Sequence, residues 1–451
     1  MSQTINIKKG ANIKLKGAAE KVTASISNSD VLAIKPTEFH GVIPKLTIKE
    51  GDEVKAGTVI FYDKYNEAIK YTSPVSGEIA EIVRGAKRKI LEIRILTDKE
   101  VRYESFTSFD PTNLDGNKVK EALLNSGLWP LIKQRPYDIV ANPQKSPKAI
   151  VVSGFDTNPL APDYDYILHG EGDNFQTGLD ALAKLTDGKV HLNINAKSTS
   201  TKVLTNAKNV QINRFSGPHP AGNAGVQIHH LDPINKGELV YVVNPQDVMI
   251  IGRFFREGKV NMERTIALTG SQVGKPKYYK AIAGTSVKNI LADNVIDGDN
   301  NRYISGNPLT GTQISADGFL GFYDNSITVL PEGDQYDFFG WAIPNTRKLS
   351  FSRTFLSWLM PNKEYTLDTN MNGEHRAFVV TGQYESMIPM DIYPVHLLKA
   401  VMVNDIDAME QLGMYEVAPE DFALAEFACT SKTNAQAIIR EGLDSLKSEV
   451  E

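Results

Sequence analysis

The pattern of apolar and polar positions divides the chain into four parts. In the first hundred residues, short apolar stretches follow one another closely and alternate with polar positions, as at Ile5, Ile7, Ile13 and Leu15. Alternation with a period of two is typical of strands that bury one face. We therefore predict an all-β domain over residues 1–104.

Two similar pieces of this domain each place a glycine turn beside a short apolar strand. They cover residues 41–61 and 73–82 and resemble the halves of a biotinyl/lipoyl-like barrel-sandwich domain. Such domains carry their cofactor on a hairpin lysine between the halves, and Lys64 lies near that position. However, the segment 64–74 is longer than the usual hairpin and lacks its small residues, so we interpret this part as a structural barrel.

From residue 105 onward, helical and strand signals alternate. Helical spacing of apolar residues occurs at 119–124 and 174–184. Short runs typical of strands occur at 149–153, 190–194, 203–204, 210–212 and 239–243. Such alternation favours a sheet with helices on its faces, so we predict a Rossmann-like α/β domain over residues 105–258.

The last two parts are predicted as a compact β unit over residues 259–316 and a mixed region over residues 317–451. In the compact unit, residues 297–301 are predicted to form a hairpin tip rather than a calcium loop, because Arg302 occupies the position where that loop needs glycine. The mixed region opens with a strand signal at 326–330. Its predicted helices lie at 394–403, 406–412, 420–428 and 435–447.

Composition narrows the classes of function. A net charge of −5 provides no basic footprint for nucleic acid. The single cysteine, Cys429, excludes an internal disulfide and a cysteine-ligated iron–sulfur cluster held by this chain alone. No stretch approaches the ~18 apolar residues of a membrane span. We therefore expect a protein of a reducing compartment that reaches a membrane only through partners.

The most distinctive stretch covers residues 214–225 and continues to Pro233. It contains three of the chain's 8 histidines among several glycines and prolines. Glycine permits positive φ and close approach, while proline fixes φ, so we predict a rigid loop shaped by Gly217, Pro218, Pro220 and Gly222. The loop follows a predicted strand, which is where α/β sheets place ligands.

Other interpretations of this loop are a plain connector, a metal site or a phosphate cradle. Adjacent His229 and His230 would point to opposite faces of a strand, and Asp232 has no recognisable ligand spacing with them. A phosphate-binding loop would need a lysine and a hydroxyl after the glycines, and neither follows. The connector and a binding loop for an organic ligand are the two interpretations that the residues leave open.

Several motifs together resemble the NqrA family, which supplies one of the subunits of the Na(+)-translocating NADH:quinone reductase. The matching motifs occupy residues 153–163, 217–222, 228–233, 305–309, 372–378 and 382–385. The barrel-like start and helical end of the chain match as well, so the resemblance covers nearly the whole sequence. It also implies that residues 259–316 form a β-grasp unit similar to soluble-ligand-binding (SLBB-like) modules.

The resemblance implies a peripheral subunit on the cytoplasmic side of the bacterial inner membrane. The complex of this family passes electrons from NADH to quinone and exports Na⁺, with flavins and iron–sulfur centres on other subunits. Partners would then be the other subunits, especially a membrane-embedded one, and quinone. Cofactors, metals and catalytic residues are not expected in this chain itself.

Two departures from related proteins matter for this expectation. Related flavin-bearing subunits carry a glycine-rich loop where this chain has residues 126–133, and only Gly127 remains, so the backbone could not wrap a flavin phosphate closely. Trp129 in that stretch is expected to pack on the core. After Cys429 this chain reads Thr430-Ser431-Lys432 in place of the family's usual proline-glycine-lysine turn. A stand-alone flavin-dependent dehydrogenase is therefore the least favoured function.

A quinone pocket needs apolar walls and hydrogen-bond donors at the two carbonyl oxygens. We predict His219 as a donor, Phe215 and Phe155 as walls, and Arg214 and Asp156 as polar partners. The competing hypothesis is a purely structural docking subunit, in which the loop packs against a partner and binds no small molecule.

Overall fold

The computed structural model describes residues 2–25, 30–292, 294–296, 300–335, 337–340 and 343–450. The hairpin tip predicted at 297–301 falls largely on residues 297–299, which lie outside the described residues. The strands, in chain order, are β1 (Thr4–Asn6), β2 (Glu20–Ala24), β3 (Val31–Ile34), β4 (Pro44–Leu46), β5 (Glu53–Val54), β6 (Val59–Asp63), β7 (Asn66–Thr72), β8 (Gly77–Arg84), β9 (Ile90–Thr97), β10 (Ile132–Arg135), β11 (Ile139–Val140), β12 (Ala149–Ser153), β13 (Lys189–Asn195), β14 (Gln211–Ser216), β15 (Val240–Val243), β16 (Glu263–Thr269), β17 (Lys277–Ile282), β18 (Asn301–Ser305), β19 (Thr312–Ile314) and β20 (Ser326–Pro331).

The helices lie mainly in the α/β domain and at the end of the chain. In chain order they are α1 (Gly116–Ser126), α2 (Tyr164–Ile167), α3 (Gly172–Ala183), α4 (Lys202–Thr205), α5 (Ala224–Leu231), α6 (Pro245–Glu257), α7 (Lys288–Leu291), α8 (Gln383–Met387), α9 (Pro394–Met402), α10 (Ile406–Gln411), α11 (Pro419–Ala428) and α12 (Ala435–Val450). No helix in the described part of the chain is both long and apolar enough to cross a membrane.

The N-terminal domain is built from two small antiparallel sheets, in the strand orders β3-β9-β8-β5 and β4-β6-β7. Their inward side chains, among them Ile60 and Ile79, are fully buried in one apolar core. The hairpin near Lys64 is shorter than the sequence suggested, because Asp63 pairs directly with Asn66. Residues 66–72 form strand β7 rather than an extended hairpin.

The α/β domain contains a seven-stranded sheet in the order β1-β14-β13-β12-β15-β10-β11. Strands β1, β14, β13, β12 and β15 are parallel, and β10 and β11 are antiparallel additions at one edge. From β12, the next strands in the chain, β13 and β14, are added on one side of the sheet, whereas β15 is added on the other side. The carboxyl ends at this change of direction are where open α/β sheets leave a crevice.

The first two strands join sheets that form much later in the sequence. Strand β1 pairs with β14 in the α/β domain, and β2 pairs with β17 in the compact β unit. Alternation correctly indicated extended chain here. Alternation alone does not specify which sheet edge an extended segment joins, because every edge offers the same backbone donors and acceptors.

The compact unit contains a six-stranded sheet in the order β19-β18-β20-β16-β17-β2, with its own apolar core around Ile266 and Leu268. The C-terminal helices α8–α12 share a second large core with one face of the α/β sheet. Between β20 and α8, the described residues contain only a 3-10 turn at Leu356–Leu359 and no strand or α-helix.

Most predicted elements are present, and two further differences concern the α/β domain. Residues 203–204, predicted as a strand, belong to helix α4 (Lys202–Thr205). Helix α6 (Pro245–Glu257) was not predicted, although its ends carry strong signals: Asn244 caps the backbone N–H of Gln246 at 3.0 Å, and Gly258 ends the helix with a φ of 65°.

Candidate functional site

The loop at residues 217–223 joins the carboxyl end of β14 to the start of helix α5. Gly217 has a φ of +140°, and a Cβ there would come within 2.4 Å of the carbonyl oxygen of Ile7. A Cβ on Gly222 would lie 2.8 Å from the backbone nitrogen of Thr157. Both glycines therefore permit close backbone approach. Pro218 and Pro220 complete the loop, and the His219–Pro220 peptide bond is cis.

His219 is enclosed by the chain's own N-terminal segment. Its backbone N–H donates to Oδ1 of Asn12 at 2.9 Å, and its carbonyl oxygen accepts from the backbone N–H of Ala11 at 2.9 Å. Gly10 passes so close that a Cβ there would lie 2.1 Å from the same carbonyl oxygen. As a result, His219 is only 1% exposed.

The imidazole of His219 has one satisfied and one unsatisfied nitrogen. Nδ1 lies 3.1 Å from Oγ1 of Thr157, and this hydroxyl also accepts from the backbone N–H of Gly222 at 3.0 Å. Nε2 is buried without a hydrogen-bond partner among the described residues. Burial lowers the pKa of His219 to about 4, so the ring is neutral at physiological pH. A buried polar atom without a partner costs about 1–3 kcal/mol, which marks Nε2 as a position where a ligand group would be stabilising.

The structure brings His219 close to the end of β12, where Phe155 and Asp156 lie. Phe155 and Phe215 are 7% and 0% exposed and share one apolar cluster. The Asp156 carboxylate accepts from the backbone N–H and the side-chain amide of Asn158, both at 2.8 Å. Burial raises the pKa of Asp156. Four of the five residues singled out in the sequence therefore lie at or just beyond the carboxyl ends of β12 and β14.

Arg214 does not join this group. Successive residues of a strand point to opposite faces of the sheet, and Phe215 points to the face that carries helix α5 and the C-terminal helices. Arg214 consequently lies on the other face, where it is exposed. It is removed from the candidate site.

A row of hydrogen-bonded polar side chains connects the sheet strands next to the loop with helix α5. Ser153, Asn193 and Asn213 are register partners on three adjacent parallel strands. The amide of Asn213 donates to Oδ1 of Asn193, and the amide of Asn193 donates to Oε1 of Gln227 on α5, each at 2.9 Å. Nε2 of Gln227 donates to Oγ of Ser153 at 2.8 Å. The loop is therefore connected on both sides to a hydrogen-bonded layer inside the domain.

A buried ion pair holds the C-terminal helices against the start of α5. Arg135 donates to Oδ2 of Asp421 at 2.6 Å and also pairs with Glu420. The Arg135 and Asp421 side chains are 2% and 0% exposed. A Cβ on Gly225 would lie 2.4 Å from Oδ2 of Asp421, so helix α5 can approach the pair only with glycine at this position.

The loop is shorter than the predicted stretch 214–233, because residues 214–216 belong to β14 and residues 224–231 form helix α5, which carries His229 and His230. His229 lies within 2.6 Å of Oε2 of Glu416 through Nδ1, and its Nε2 accepts from the backbone N–H of Asp391 at 3.0 Å. Nδ1 of His230 lies 2.9 Å from the carbonyl oxygen of Val226. In the described part of the chain, no group of three or more His, Cys, Asp or Glu side chains could hold a metal ion.

Sequence reasoning missed Thr157, Asn12 and the amides of Asn193 and Gln227. Thr157 lies inside a stretch that the sequence singled out, but the predicted site roles there were assigned to its neighbours Phe155 and Asp156. Asn193 lies at an inward position of a predicted buried strand, which is itself a signal, because buried amides are retained where they have partners. Asn12 carries no local signal, since its role depends on a contact with a loop far away in the sequence.

The stretch at 126–133 packs as the sequence predicted. Trp129 is fully buried, and its Nε1 donates to the carbonyl oxygen of Ala141 at 2.7 Å. Gly127 ends helix α1 with a φ of +72°, and a Cβ there would meet the side chain of Thr72. This segment is a helix end packed against the barrel.

Three family models match successive parts of the chain. The NqrA N-terminal barrel-sandwich hybrid domain matches residues 5–98 and the NqrA second alpha/beta domain matches residues 114–260. A third model, described as the NQRA C-terminal domain, matches residues 265–316. The matches confirm the predicted barrel-sandwich part, α/β domain and SLBB-like unit, and helices α8–α12 of the structure confirm the helical C-terminal region.

Curated relatives match the chain from end to end. The NqrA subunit of the Na(+)-translocating NADH-quinone reductase of Neisseria meningitidis serogroup A is 39% identical, over 99% of this chain and 100% of the relative. The proteins of the same name from Marinomonas sp. and Yersinia pestis bv. Antiqua are each 36% identical, over 98% and 99% of this chain and 99% and 100% of the relative. The chain belongs to the NqrA family, whose members are subunits of the Na(+)-translocating NADH-quinone reductase, an oxidoreductase complex, as the sequence predicted.

Among solved structures, an NAD+-reducing [NiFe]-hydrogenase in the air-oxidized state matches about half of the chain. The match has a TM-score of 0.37 and 13% sequence identity, and it covers 49% of this chain and 48% of that chain. A TM-score this low does not establish a shared fold.

Proposed function

We propose that this chain is a peripheral subunit of a Na⁺-translocating NADH:quinone reductase, on the cytoplasmic side of the bacterial inner membrane, and that it contributes to quinone binding without a redox centre of its own. Flavins and iron–sulfur centres then belong to partner subunits, one of which is embedded in the membrane. Family membership supports the subunit role. The observation that carries the quinone role is the buried, unpartnered Nε2 of His219.

The neutral imidazole suits a quinone carbonyl. When the Thr157 hydroxyl donates to Nδ1, the ring proton is on Nε2, which then is a donor without an acceptor. A quinone oxygen accepts such a hydrogen bond, and the bond strengthens as negative charge develops during reduction. Phe155 and Phe215 would supply apolar surface for the ring. Asp156, which follows β12, would be the further polar group.

Binding at Nε2 requires the loop to open, because His219 is 1% exposed. The backbone of His219 is held to the N-terminal segment by two hydrogen bonds, one from Ala11 and one to Asn12. Separating these contacts would uncover the imidazole while the amide layer beneath β12 and β14 stays in place. We therefore infer that residues 10–12 form the cover of the quinone site.

The test is a titration of the purified chain with a short-chain, water-soluble quinone, followed by tryptophan fluorescence. Trp129 and Trp358 are reporters, together with Trp341, which lies outside the described residues. A redox-inert aromatic of similar size is the control ligand. We expect saturable quenching specific to the quinone, and about tenfold weaker binding in His219→Ala, the effect of one lost hydrogen bond.

His230→Ala is the matched control, since it removes an exposed imidazole from the neighbouring helix. It should leave the quinone dissociation constant unchanged. Equal affinities of the native chain and His219→Ala, with both proteins folded, would remove His219 from the site.

A purely structural docking subunit is the second candidate function. The burial of His219 against its own chain favours this function, because a loop with a purely structural role would also be buried. This function is also favoured by exposed apolar side chains at both ends of helix α9: Tyr393, Met402 and Val403 are 64%, 60% and 74% exposed. Absence of saturable quenching, combined with loss of co-purifying subunits in Met402→Ser/Val403→Ser, would favour this function over quinone binding.

A further inference from the structure

The turn at residues 356–360 exposes its apolar side chains and buries its hydroxyl. Leu356, Trp358, Leu359 and Met360 are 48%, 49%, 59% and 48% exposed. Ser357 is 2% exposed, and its Oγ donates to the carbonyl oxygen of Lys348 at 2.7 Å. The hydrophobic effect alone would bury the apolar side chains and leave the hydroxyl in water. Contiguous exposed apolar side chains of this kind mark an interaction surface.

Contacts on both sides hold this turn as a fixed projection. Phe351, which precedes the turn, packs on the second core and lies 6.0 Å from the ring centroid of Phe427. After the turn, Nζ of Lys14 donates to the carbonyl oxygen of Pro361 at 2.9 Å, and the backbone N–H of Tyr365 donates to that of Lys14 at 2.8 Å. The apolar residues therefore project from a segment that is attached to the body of the protein.

Cations outnumber carboxylates around the turn. Residues 343–363 contain four cationic side chains and no carboxylate, and Glu364 follows them directly, although the whole chain carries a net charge of −5. Lys348 pairs with Asp337 at 2.7 Å. Arg347, Arg353 and Lys363 have no carboxylate partner among the described residues, and the guanidinium of Arg353 lies 5.5 Å from the ring centroid of Trp358.

We propose that residues 343–363 bind directly to an anionic lipid surface. Leu356, Trp358, Leu359 and Met360 would enter the boundary between headgroups and acyl chains, where tryptophan and short apolar segments are stabilised. The exposed cations Arg347 and Arg353 would meet lipid phosphates. Nζ of Lys363 already donates to the carbonyl oxygen of Thr346 at 2.6 Å.

A lipid surface fits this segment better than a protein surface does. Two exposed cations without a carboxylate partner among the described residues, Arg347 and Arg353, match a partner that is negative everywhere, as an anionic leaflet is. The exposed apolar residues are flexible or amphipathic side chains on one short turn, which need no shaped groove. The membrane contact rests on the proposed peripheral location and adds direct lipid binding to attachment through partner subunits.

The experiment is flotation of the purified full chain with vesicles of phosphatidylglycerol and phosphatidylcholine in equal parts, compared with phosphatidylcholine alone. We expect binding to the anionic vesicles that weakens as salt is added, with a blue shift of tryptophan emission. Arg347→Gln/Arg353→Gln should weaken binding at least about tenfold, because each cation near an anionic surface contributes about fivefold. Trp358→Ser/Leu359→Ser should weaken binding and abolish the blue shift.

The matched control is Met402→Ser/Val403→Ser, which removes equally exposed apolar side chains at the end of helix α9. It should bind vesicles as the native chain does. Equal binding to neutral and anionic vesicles, or equal loss in the control, would overturn the lipid contact. Absence of vesicle binding by the native chain would also overturn it, and loss of co-purifying subunits in Trp358→Ser/Leu359→Ser would then identify the turn as a protein-docking surface. The flotation itself needs neither quinone nor partners, so its failure leaves the proposed function to the quinone titration.

Discussion

The side-chain amide of Asn193 donates to Oε1 of Gln227 at 2.9 Å and so ties the middle of the parallel sheet to helix α5. Both residues are fully buried. Gln227 in turn donates to Ser153, at the end of the neighbouring strand β12. The loop that carries His219 runs directly into α5, so its position depends on this amide layer.

Replacing Gln227 by leucine should therefore loosen the sheet beneath the loop. The substitution leaves the buried amide of Asn193 without its acceptor, which costs about 1–3 kcal/mol. Native-state hydrogen exchange at the amides of β13 should report an opening free energy lower by about that amount. Gln144→Leu, at an exposed position, is the control and should leave those amides unaffected. Equal protection in both variants would show that the layer contributes nothing to local stability.

Gly10→Ala should displace the segment that covers His219. Gly10 has a φ of +110°, and a Cβ there would lie 2.1 Å from the carbonyl oxygen of His219. The control is Gly237→Ala: Gly237 has a φ of +86° but no atom within 4 Å of the added Cβ. The control should cost only the left-handed backbone penalty of about 1–2 kcal/mol.

Exposure of His219 distinguishes the two alanine variants. Modification of histidines by diethyl pyrocarbonate, mapped by mass spectrometry, should reach His219 faster in Gly10→Ala than in Gly237→Ala. The same rate in both would mean that residues 10–12 do not cover the imidazole.

Arg135→Met should detach the C-terminal helices from the α/β domain. It leaves the Asp421 carboxylate, 0% exposed, without its cation, and breaking a buried pair in this way costs about 3–5 kcal/mol. Glu420, 43% exposed, can turn to water instead. Limited proteolysis should therefore cut between α10 and α11 in the variant and not in the native chain.

A second substitution tests the electrostatic cause of that effect. In Arg135→Met/Asp421→Asn the buried group is neutral, so part of the protease resistance should return. The asparagine can still accept the hydrogen bond from the backbone N–H of Ala418 that Asp421 accepts at 2.9 Å. A double variant as sensitive as Arg135→Met would indicate that lost packing, not the unpaired charge, causes the detachment.

The depressed pKa of His219 predicts a loss of stability in mild acid. Above pH 6.5 the imidazole is neutral in both folded and unfolded chains and has no effect. Between pH 6.5 and the folded pKa of about 4, the unfolded chain binds a proton that the folded chain does not. Stability therefore falls as the pH falls through this window, by up to about 3 kcal/mol.

His219→Gln lacks this titration and serves as the reference. The difference in unfolding free energy between the native chain and His219→Gln should become less favourable to the native chain as the pH falls from 7 to 4. Urea unfolding of the α/β domain, followed by hydrogen exchange, measures that difference. A difference independent of pH would show that the ring protonates in the folded state at its ordinary pKa.

Local sequence patterns were sufficient for most of the strands and helices and for the rigid loop. Apolar periodicity predicted β12, α3 and the C-terminal helices α9–α12, since periodicity depends only on which face of an element is buried. Helix α6 was missed although apolar residues recur along it and its ends carry capping signals. Its polar residues Gln246, Asp247 and Arg253 are buried as well, because each has a partner elsewhere in the folded chain, and no local pattern shows such partners.

The sequence by itself determined the family, the order of domains and the presence of a rigid loop within residues 214–233, because these depend on motifs and on the backbone preferences of neighbouring glycines and prolines. Only the tertiary structure decided which side chains meet. It placed Arg214 on the opposite sheet face from Phe215, covered His219 with residues 10–12 and joined Arg135 to Asp421 across 286 positions of sequence. The physical reason is that propensity acts between neighbours in the chain, whereas burial and hydrogen-bond satisfaction depend on elements that come together only when the whole chain has folded.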